Sequence, residues 1–221
     1  MVGGLTSIRS RVAAAAMRSG RDPSEVTLVV VGKEAALDDL WMVYAAGVRD
    51  FGENRADQLA DRASLFPGDV RWHFIGRLQR NKVARVRPVV TLLHSLDRPQ
   101  LIERWSGDGP PPPALVQVNV SGEPQKGGVS PAEAAQLVEK ARIAGIEVRG
   151  LMTMAPLDPD PEAARPHFAA LRLLRDRLLP DLPGLTELSM GMSGDFEVAV
   201  EEGATILRVG RAIFRQSPKE V

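Results

Sequence analysis

The sequence contains no cysteine, which excludes disulfides, thiolate metal sites and cysteine nucleophiles. It also has no apolar run approaching the roughly 20 residues needed to cross a bilayer, and its N-terminus lacks the charged-then-apolar order of a signal peptide. Basic and acidic residues balance at 28 each, so no net field favours nucleic acid or an anionic membrane. The 3 histidines are scattered without ligand spacing, and no metal site is predicted. We therefore expect a cytoplasmic protein that binds neither nucleic acid nor membrane.

Short apolar runs alternate with amphipathic segments along the 221 residues, of which 44% are hydrophobic. The runs predict eight strands, at residues 26–32, 48–51, 71–75, 89–94, 114–120, 147–153, 187–190 and 205–209. A predicted helix or helical turn follows each strand, and an extra helix is predicted at 5–17, before the first. Eight βα units in a chain of this length favour a single-domain (β/α)8 barrel over residues 1–221. An open doubly wound sheet is the alternative, but no G-x-G-x-x-G follows the first strand.

The first predicted strand, Val-Thr-Leu-Val-Val-Val-Gly-Lys, ends in Lys33. A lysine at the exit of a buried strand is held rigidly, and apolar surroundings can lower the pKa of its amine, as a Schiff-base lysine requires. The alternative is a lysine that only extends to solvent. Working residues of (β/α)8 barrels lie at the C-terminal ends of the strands. Polar residues at those predicted ends are Lys33, Glu53, Asn54, His73, Gln79, Ser95, Asn119, Thr153, Ser189, Ser193 and Arg208.

The last two predicted βα loops resemble a phosphate site. Residues 188–197 read Leu-Ser-Met-Gly-Met-Ser-Gly-Asp-Phe-Glu, and residues 208–211 read Arg-Val-Gly-Arg. Loops after strands seven and eight that close on a helix N-terminus commonly bind phosphate in barrels, and Ser193, Gly194 and Gly210 are the predicted contacts. The alternative is that Ser193 is only a helix N-cap and Gly210 only a turn residue. A phosphate site and a lysine on one face suggest a phosphorylated aldehyde, of which pyridoxal phosphate is the common case.

Seven segments together resemble the pyridoxal phosphate homeostasis proteins, single-domain barrels similar to the N-terminal domain of alanine racemase. They are Phe51-Gly-Glu-Asn54, Trp72-His-Phe-Ile-Gly-Arg-Leu-Gln-Arg-Asn-Lys82, His94-Ser-Leu-Asp97, Val118-Asn119 with Lys126-Gly127, Gly150-Leu-Met152, Leu188-Ser-Met-Gly-Met-Ser-Gly-Asp195 and Arg208-Val-Gly210. The resemblance implies that pyridoxal 5′-phosphate is bound as a Schiff base by Lys33, with phosphate on Ser193 and Gly210 and the pyridine nitrogen facing Arg208. It also implies a cofactor lining of Asn54, His73 and Met190, and a weaker role for Lys126 in cofactor transfer.

The chain departs from the family pattern beside the lysine and near its end. Gly32 and Glu34 flank Lys33 where the family usually has serine and threonine or a similar residue, and Arg215 stands where glycine is usual. Glu34 could keep the ammonium of Lys33 charged and slow Schiff-base formation. The phosphate residues are unaffected.

We expect a carrier without efficient turnover, and no residue is assigned a catalytic role. An arginine at the ring nitrogen leaves the pyridine largely unprotonated, so the ring is a poor electron sink. The racemases of similar fold take a second acid/base, a tyrosine, from a separate C-terminal domain, whereas Tyr44 here is predicted to lie on the apolar face of a helix. Expected partners are the cofactor and pyridoxal phosphate-dependent apoenzymes, and the protein is expected to be a monomer.

Other functions remain open from sequence alone. A small amino acid racemase, or an aldolase using Lys33 on a sugar phosphate, would be true enzymes. An interaction protein would use surface arginines, for which Arg62, Arg85 and Arg104 are candidates. We prefer the interpretation that such arginines form solvated helix faces.

Overall fold

Eight parallel strands close into a barrel in sequence order in a computed structural model that describes residues 2–33, 35–107, 109–123 and 125–214. The strands are β1 (Thr27–Val31), β2 (Asp50–Glu53), β3 (Arg71–Phe74), β4 (Leu92–Leu96), β5 (Ala114–Gln117), β6 (Val148–Met152), β7 (Glu187–Ser189) and β8 (Ile206–Val209). The barrel is closed by β1 and β8, which pair from Thr27↔Ile206 to Val30↔Val209. The predicted (β/α)8 barrel is therefore confirmed, and the open sheet is wrong.

Helices surround the barrel as the apolar spacing predicts. They are α1 (Val2–Arg18), α2 (Leu37–Ala45), α3 (Ala56–Ala63), α4 (Val83–Val86), α5 (Pro99–Ser106), α6 (Ala134–Ile143), α7 (Arg165–Leu178), α8 (Phe196–Glu201) and α9 (Arg211–Phe214). The extra helix α1 packs its buried side chains against α8 and α9, and at Gly4 a Cβ would lie 2.7 Å from the carbonyl oxygen of Ile213. No helix in the described ranges is long and apolar enough to cross a membrane.

Two strand predictions are displaced along the chain. The prediction at 89–94 starts too early, because the amides of Val89 and Val90 both donate to the carbonyl of Val86 and so continue the turn of α4. The prediction at 114–120 ends too late, because Val118 leaves the barrel ladder and bridges Val129 in the following loop. In both cases a β-branched run extends beyond the paired strand, because β propensity depends on packing context and does not mark where strand pairing begins or ends.

The inside of the barrel is apolar in one part and polar in another. Val29, Leu92, Leu115, Met152 and Ile206 pack together there, separately from the larger core between strands and helices. Side chains alternate across a strand, so His94 on β4 and Arg208 on β8 point inward as their neighbours Leu92 and Ile206 do. Both polar side chains are buried, and buried polar groups must be hydrogen-bonded inside the protein. The hydrogen bonds of His94 and Arg208 involve residues of the predicted site.

Candidate functional site

Lys33 lies in a turn immediately after β1, at the C-terminal mouth of the barrel, the opening formed by the C-terminal ends of the strands. Its side chain is exposed, as in the alternative of a lysine that extends to solvent, and its role as a Schiff-base lysine stays a prediction. The preceding Gly32 is tightly enclosed instead: a Cβ there would lie 2.8 Å from Cδ2 of Leu40 and 3.2 Å from Nη1 of Arg62. A glycine at this position therefore makes room for Arg62. The predicted effects of Glu34 and Arg215 concern residues outside the described ranges.

Arg62 on α3 holds the turn that carries Lys33 at both ends. Its Nη1 donates to the carbonyl oxygen of Gly32 at 2.7 Å, and its Nη2 donates to that of Ala35 at 2.9 Å. The same guanidinium forms an ion pair with Glu53 on β2, whose side chain is 1% exposed. Burial raises the pKa of Glu53, and the charge and hydrogen bond of Arg62 act against that rise. Arg62 is thus part of the site's framework, not the solvated arginine expected from the sequence.

Arg208 lies inside the barrel with 3% of its surface exposed. Its Nη1 donates to Oγ of Ser189 at 2.5 Å, and its Nη2 donates to the carbonyl oxygen of Thr153 at 2.8 Å. Burial lowers the pKa of Arg208 to about 10, against the opposing charge of Asp195. The guanidinium therefore remains protonated at neutral pH and can only donate hydrogen bonds.

His73 is buried on β3, and both of its ring nitrogens are used inside the protein. Its Nδ1 lies 2.9 Å from Nε2 of His94, and its Nε2 lies 3.1 Å from Oδ1 of Asp50. On the other side of His94, Nδ1 lies 2.8 Å from Oγ of Ser189. A contact between His73 and a cofactor stays a prediction. Sequence reasoning missed the roles of Asp50 and His94, although the inward parity of His94 with Leu92 could have indicated them.

The two predicted phosphate loops meet through Ser193. Its Oγ accepts a hydrogen bond at 3.2 Å from the amide of Ala212, in the first turn of α9. The N-cap of α8 is Asp195, so the alternative that Ser193 only caps that helix is wrong. At Gly210 a Cβ would lie 2.6 Å from the carbonyl oxygen of Val31, which brings this loop against the end of β1.

Gly194 occupies the outer part of the same loop. It is exposed, and no heavy atom lies within 4 Å of the position that a Cβ would take. Space for a ligand group is therefore present beside Ser193. Whether Ser193, Gly194 and Gly210 contact phosphate stays a prediction.

The remaining predicted contacts differ in exposure. Asn54 lines an open cavity of about 890 Å³ beside the ends of β2 and β3, and its Oδ1 is buried with no partner in the described part of the chain. A ligand donor could satisfy that oxygen. Met190 is fully buried in the core. Lys126 forms an ion pair with Glu123 at 2.5 Å and donates to the carbonyl oxygen of Met154 at 3.4 Å, beyond the end of β6.

Comparison with known proteins gives relatives along nearly the whole chain. No protein-family model matches the sequence. The pyridoxal phosphate homeostasis protein of Aquifex aeolicus is 40% identical over 217 residues, covering 95% of each chain. That of Deinococcus radiodurans is 42% identical over 201 residues, covering 89% of this chain and 92% of the relative. That of Escherichia coli is 34% identical over 223 residues, covering 95% and 94%.

Solved structures have the same architecture. A protein described as unknown from Bifidobacterium adolescentis has a TM-score of 0.86 at 37% identity, covering 96% of this chain and 94% of that one. PipY of Synechococcus elongatus, solved with PLP bound, has a TM-score of 0.79 at 33% identity, covering 94% and 100%. Lysine/ornithine decarboxylase from Vibrio vulnificus has a TM-score of 0.75 at 16% identity and shows the fold alone.

Proposed function

Because this chain belongs to the pyridoxal phosphate homeostasis protein family, we propose that it binds pyridoxal 5′-phosphate reversibly on Lys33 and buffers or delivers it without efficient turnover. The observation that carries the proposal is the PLP bound in PipY, a relative of the same fold and 33% identity. The geometry supports Lys33 as the anchor. Val29 pairs with Arg208 across β1 and β8, and Lys33 follows four residues after Val29, on the side of the C-terminal mouth.

The donor set fits this cofactor. When bound, pyridoxal phosphate supplies an aldehyde that condenses with a lysine amine, with loss of one water. The exposed amine of Lys33 is accessible for that bond. Ser193, Gly194 and Gly210 provide a hydroxyl, open space and main chain for a phosphate, as the two loops meet there. Of the several N–H donors of an arginine, Arg208 uses two on Ser189 and Thr153.

We expect no efficient turnover because of the protonation of Arg208 and the position of the single tyrosine. Arg208 has a pKa of about 10, so at neutral pH it donates a hydrogen bond to a ring nitrogen without handing over its proton. A two-base racemase also needs a second acid/base opposite the lysine. The sequence has 1 tyrosine, and the hydroxyl of Tyr44 donates to Asp69 at 3.0 Å. Asp69 precedes β3, so Tyr44 bonds at the opposite end of the barrel from Lys33.

Further features belong to the same proposal. The cofactor would be passed to pyridoxal phosphate-dependent apoenzymes, with Lys126 assisting release at the rim, and Asn54, His73 and Met190 would line the bound ring. The protein would act as a single-domain monomer in the cytoplasm. A small racemase and a sugar-phosphate aldolase remain the rival activities for the same lysine.

Absorbance spectroscopy with added pyridoxal phosphate tests the proposal. We expect a new protein-bound band and a borohydride-stable adduct on Lys33, both lost in Lys33→Ala and both kept in the control Lys82→Ala, whose lysine pairs with Asp57 on the protein surface. An adduct that persists unchanged in Lys33→Ala would overturn the anchor. Rapid racemisation or transamination by the purified protein would overturn the carrier role, and aldol cleavage of a sugar phosphate without the band would favour the aldolase.

A further inference from the structure

A continuous line of hydrogen bonds runs through the barrel from Arg208 to its N-terminal mouth, the end where the strands begin. We call the four residues beyond Arg208 the interior chain; they are Ser189, His94, His73 and Asp50. Its successive links measure 2.5 Å from Arg208 to Ser189, then 2.8 Å, 2.9 Å and 3.1 Å. The Ser189–His94 link joins β7 to β4, which are not neighbours in the sheet, so the interior chain crosses the barrel.

The two ends of the interior chain fix its direction. Arg208 can only donate, so Ser189 accepts from it and has one proton to give. At the other end, burial favours a higher pKa for Asp50, but hydrogen bonds from His73 and Arg71 outweigh burial and lower the pKa to about 2. An ionised carboxylate can only accept, so Nε2 of His73 carries a proton.

The histidines then follow from their neighbours. Burial is the largest cause that lowers the pKa of His94 well below its ordinary value, and the positive charge of Arg208 acts in the same direction, so His94 is neutral. The buried hydroxyl of Ser189 accepts from Arg208 and needs an acceptor of its own, which Nδ1 of His94 provides. The ring proton of His94 is then on Nε2, and Nδ1 of His73 accepts it. Every proton points from Arg208 toward Asp50. A charged His73 would reverse its bond to His94 and deprive the Ser189 hydroxyl of its acceptor.

The outer end of the interior chain is accessible from outside the barrel. The side chain of Asp50 is 13% exposed, and it lines a cavity of about 470 Å³ at the N-terminal mouth together with Arg71 and Thr27. Arg71 holds the carboxylate through two bonds, at 2.7 Å and 2.5 Å. A change at Asp50 can therefore be made without opening the core around Arg208.

We propose that the interior chain is a positioning device, which fixes the guanidinium of Arg208 and couples its orientation to the carboxylate of Asp50 at the opposite mouth. Hydrogen bonds in such a series polarise one another, so the negative charge of Asp50 strengthens each donor in turn. The direction of the protons is inferred from the protein's own residues. The effect of the interior chain on a cofactor ring that faces Arg208 rests on the proposed function.

Histidine ring ¹⁵N–¹H NMR of the cofactor-free protein tests the direction. We expect the ring proton of both His73 and His94 to be on Nε2, with Nδ1 of each ring acting as an acceptor. In Asp50→Asn the terminal amide can donate as well as accept, so both rings should populate a mixture of tautomers. The control Asp69→Asn removes an exposed carboxylate at the same end of the barrel that bonds Tyr44 and Arg49 instead, and should change neither ring. An unchanged His94 in Asp50→Asn, or a proton on its Nδ1 in the parent, would overturn the coupling.

If Asp50→Asn does not fold, variants of Ser189, at the Arg208 end of the interior chain, test the same inference. Ser189→Ala removes the donor to Nδ1 of His94 and should free that ring's tautomer, whereas Ser189→Thr retains a hydroxyl and should restore it. A fixed His94 in Ser189→Ala would count against the interior chain.

Affinity for pyridoxal phosphate tests the coupling to Arg208. We expect Asp50→Asn to weaken binding about three- to tenfold, the range that one ordinary hydrogen bond represents, and Asp69→Asn to leave it unchanged. Altered tautomers with unaltered affinity would overturn the positioning role. If the parent protein bound no pyridoxal phosphate, the proposed function would fail, and the NMR result would still decide the direction of the interior chain.

Discussion

Replacing Arg62 with alanine perturbs the turn that carries Lys33 without touching the lysine. The substitution removes the partner of Glu53, whose side chain is 1% exposed, and the bonds to the carbonyl oxygens of Gly32 and Ala35. Removing one member of a buried ion pair costs about 3–5 kcal/mol. Hydrogen bonds from a charged donor contribute about 1.5–3 kcal/mol each, but contributions of groups that share a partner do not add.

We therefore expect Arg62→Ala to lower the free energy of unfolding by about 4 kcal/mol at neutral pH. For a chain of this size the midpoint of thermal unfolding should fall by about 8–16 °C. Affinity for pyridoxal phosphate should fall as well, because the amine of Lys33 is no longer held in one place before the cofactor binds. Calorimetry and cofactor titration measure the two effects. The matched control is Arg104→Ala, an exposed arginine on α5, which should change stability by less than about 0.5 kcal/mol.

The pH dependence of the Arg62→Ala defect separates lost charge pairing from lost packing. The pKa of Glu53 is already raised in the folded protein and would rise further without Arg62. A carboxyl with a raised folded pKa binds more protons in the folded state than in the unfolded state, so its contribution to stability is lost as pH rises through that interval. The defect should be smaller at about pH 5 than at about pH 8. Glu53→Gln should recover part of the loss in the Arg62→Ala background. An equal defect at both pH values, or no recovery, would refute the reasoning.

Two further predictions concern the stability of the protein in acid and the replacement of glycines in the last two βα loops. Acid should destabilise the protein in two stages. Below about pH 6.5, His94 takes up a proton in the unfolded chain but not in the folded protein, which favours unfolding. Asp50, with a folded pKa of about 2, contributes about 2 kcal/mol to stability, and this contribution is lost below about pH 4. Urea unfolding midpoints that stay constant from about pH 7 to about pH 5 would contradict the first stage. Gly210→Ala should cost about 1–3 kcal/mol and weaken cofactor binding, since its Cβ meets the carbonyl oxygen of Val31, whereas Gly194→Ala, which meets no atom, should change stability little by calorimetry.

The sequence predicts the parts of the site that depend on strand order. In a closed parallel barrel, consecutive strand ends meet at one opening, so Lys33 after β1 and the loop after β8 lie at the same mouth whatever the exact strand limits are. The loops with Ser193 and Gly210 come together for the same reason. Periodicity and chain length were sufficient for these predictions because they require only the count and direction of the strands.

The parity of His94 with Leu92 could indicate its inward direction, but the hydrogen-bond partners in the polar interior could not be predicted because they depend on register. The strand predicted at 89–94 would end at His94 and place it at the mouth, whereas β4 runs from Leu92 to Leu96 and places His94 within the barrel. The strand end moves by two residues, from 94 to 96, and a shift of this size displaces a side chain by roughly 7 Å along the barrel. His73 bonds both His94 and Asp50 only at the observed register. The sequence left open whether Lys33 is buried or extends to solvent, and the structure shows an exposed side chain in a turn directly after β1.

Two arginines support the proposed cofactor site from opposite sides of the barrel wall. Arg62 lies outside the wall and ties the main chain around Lys33 to the buried Glu53. Arg208 lies inside and is tied through neutral side chains to a carboxylate at the far mouth. A lysine could replace neither, because each guanidinium donates in at least two directions at once and lysine lacks that planar fork. The charge of Arg62 is paired with the carboxylate of Glu53, whereas the guanidinium of Arg208 is bonded to two neutral acceptors, Ser189 and Thr153.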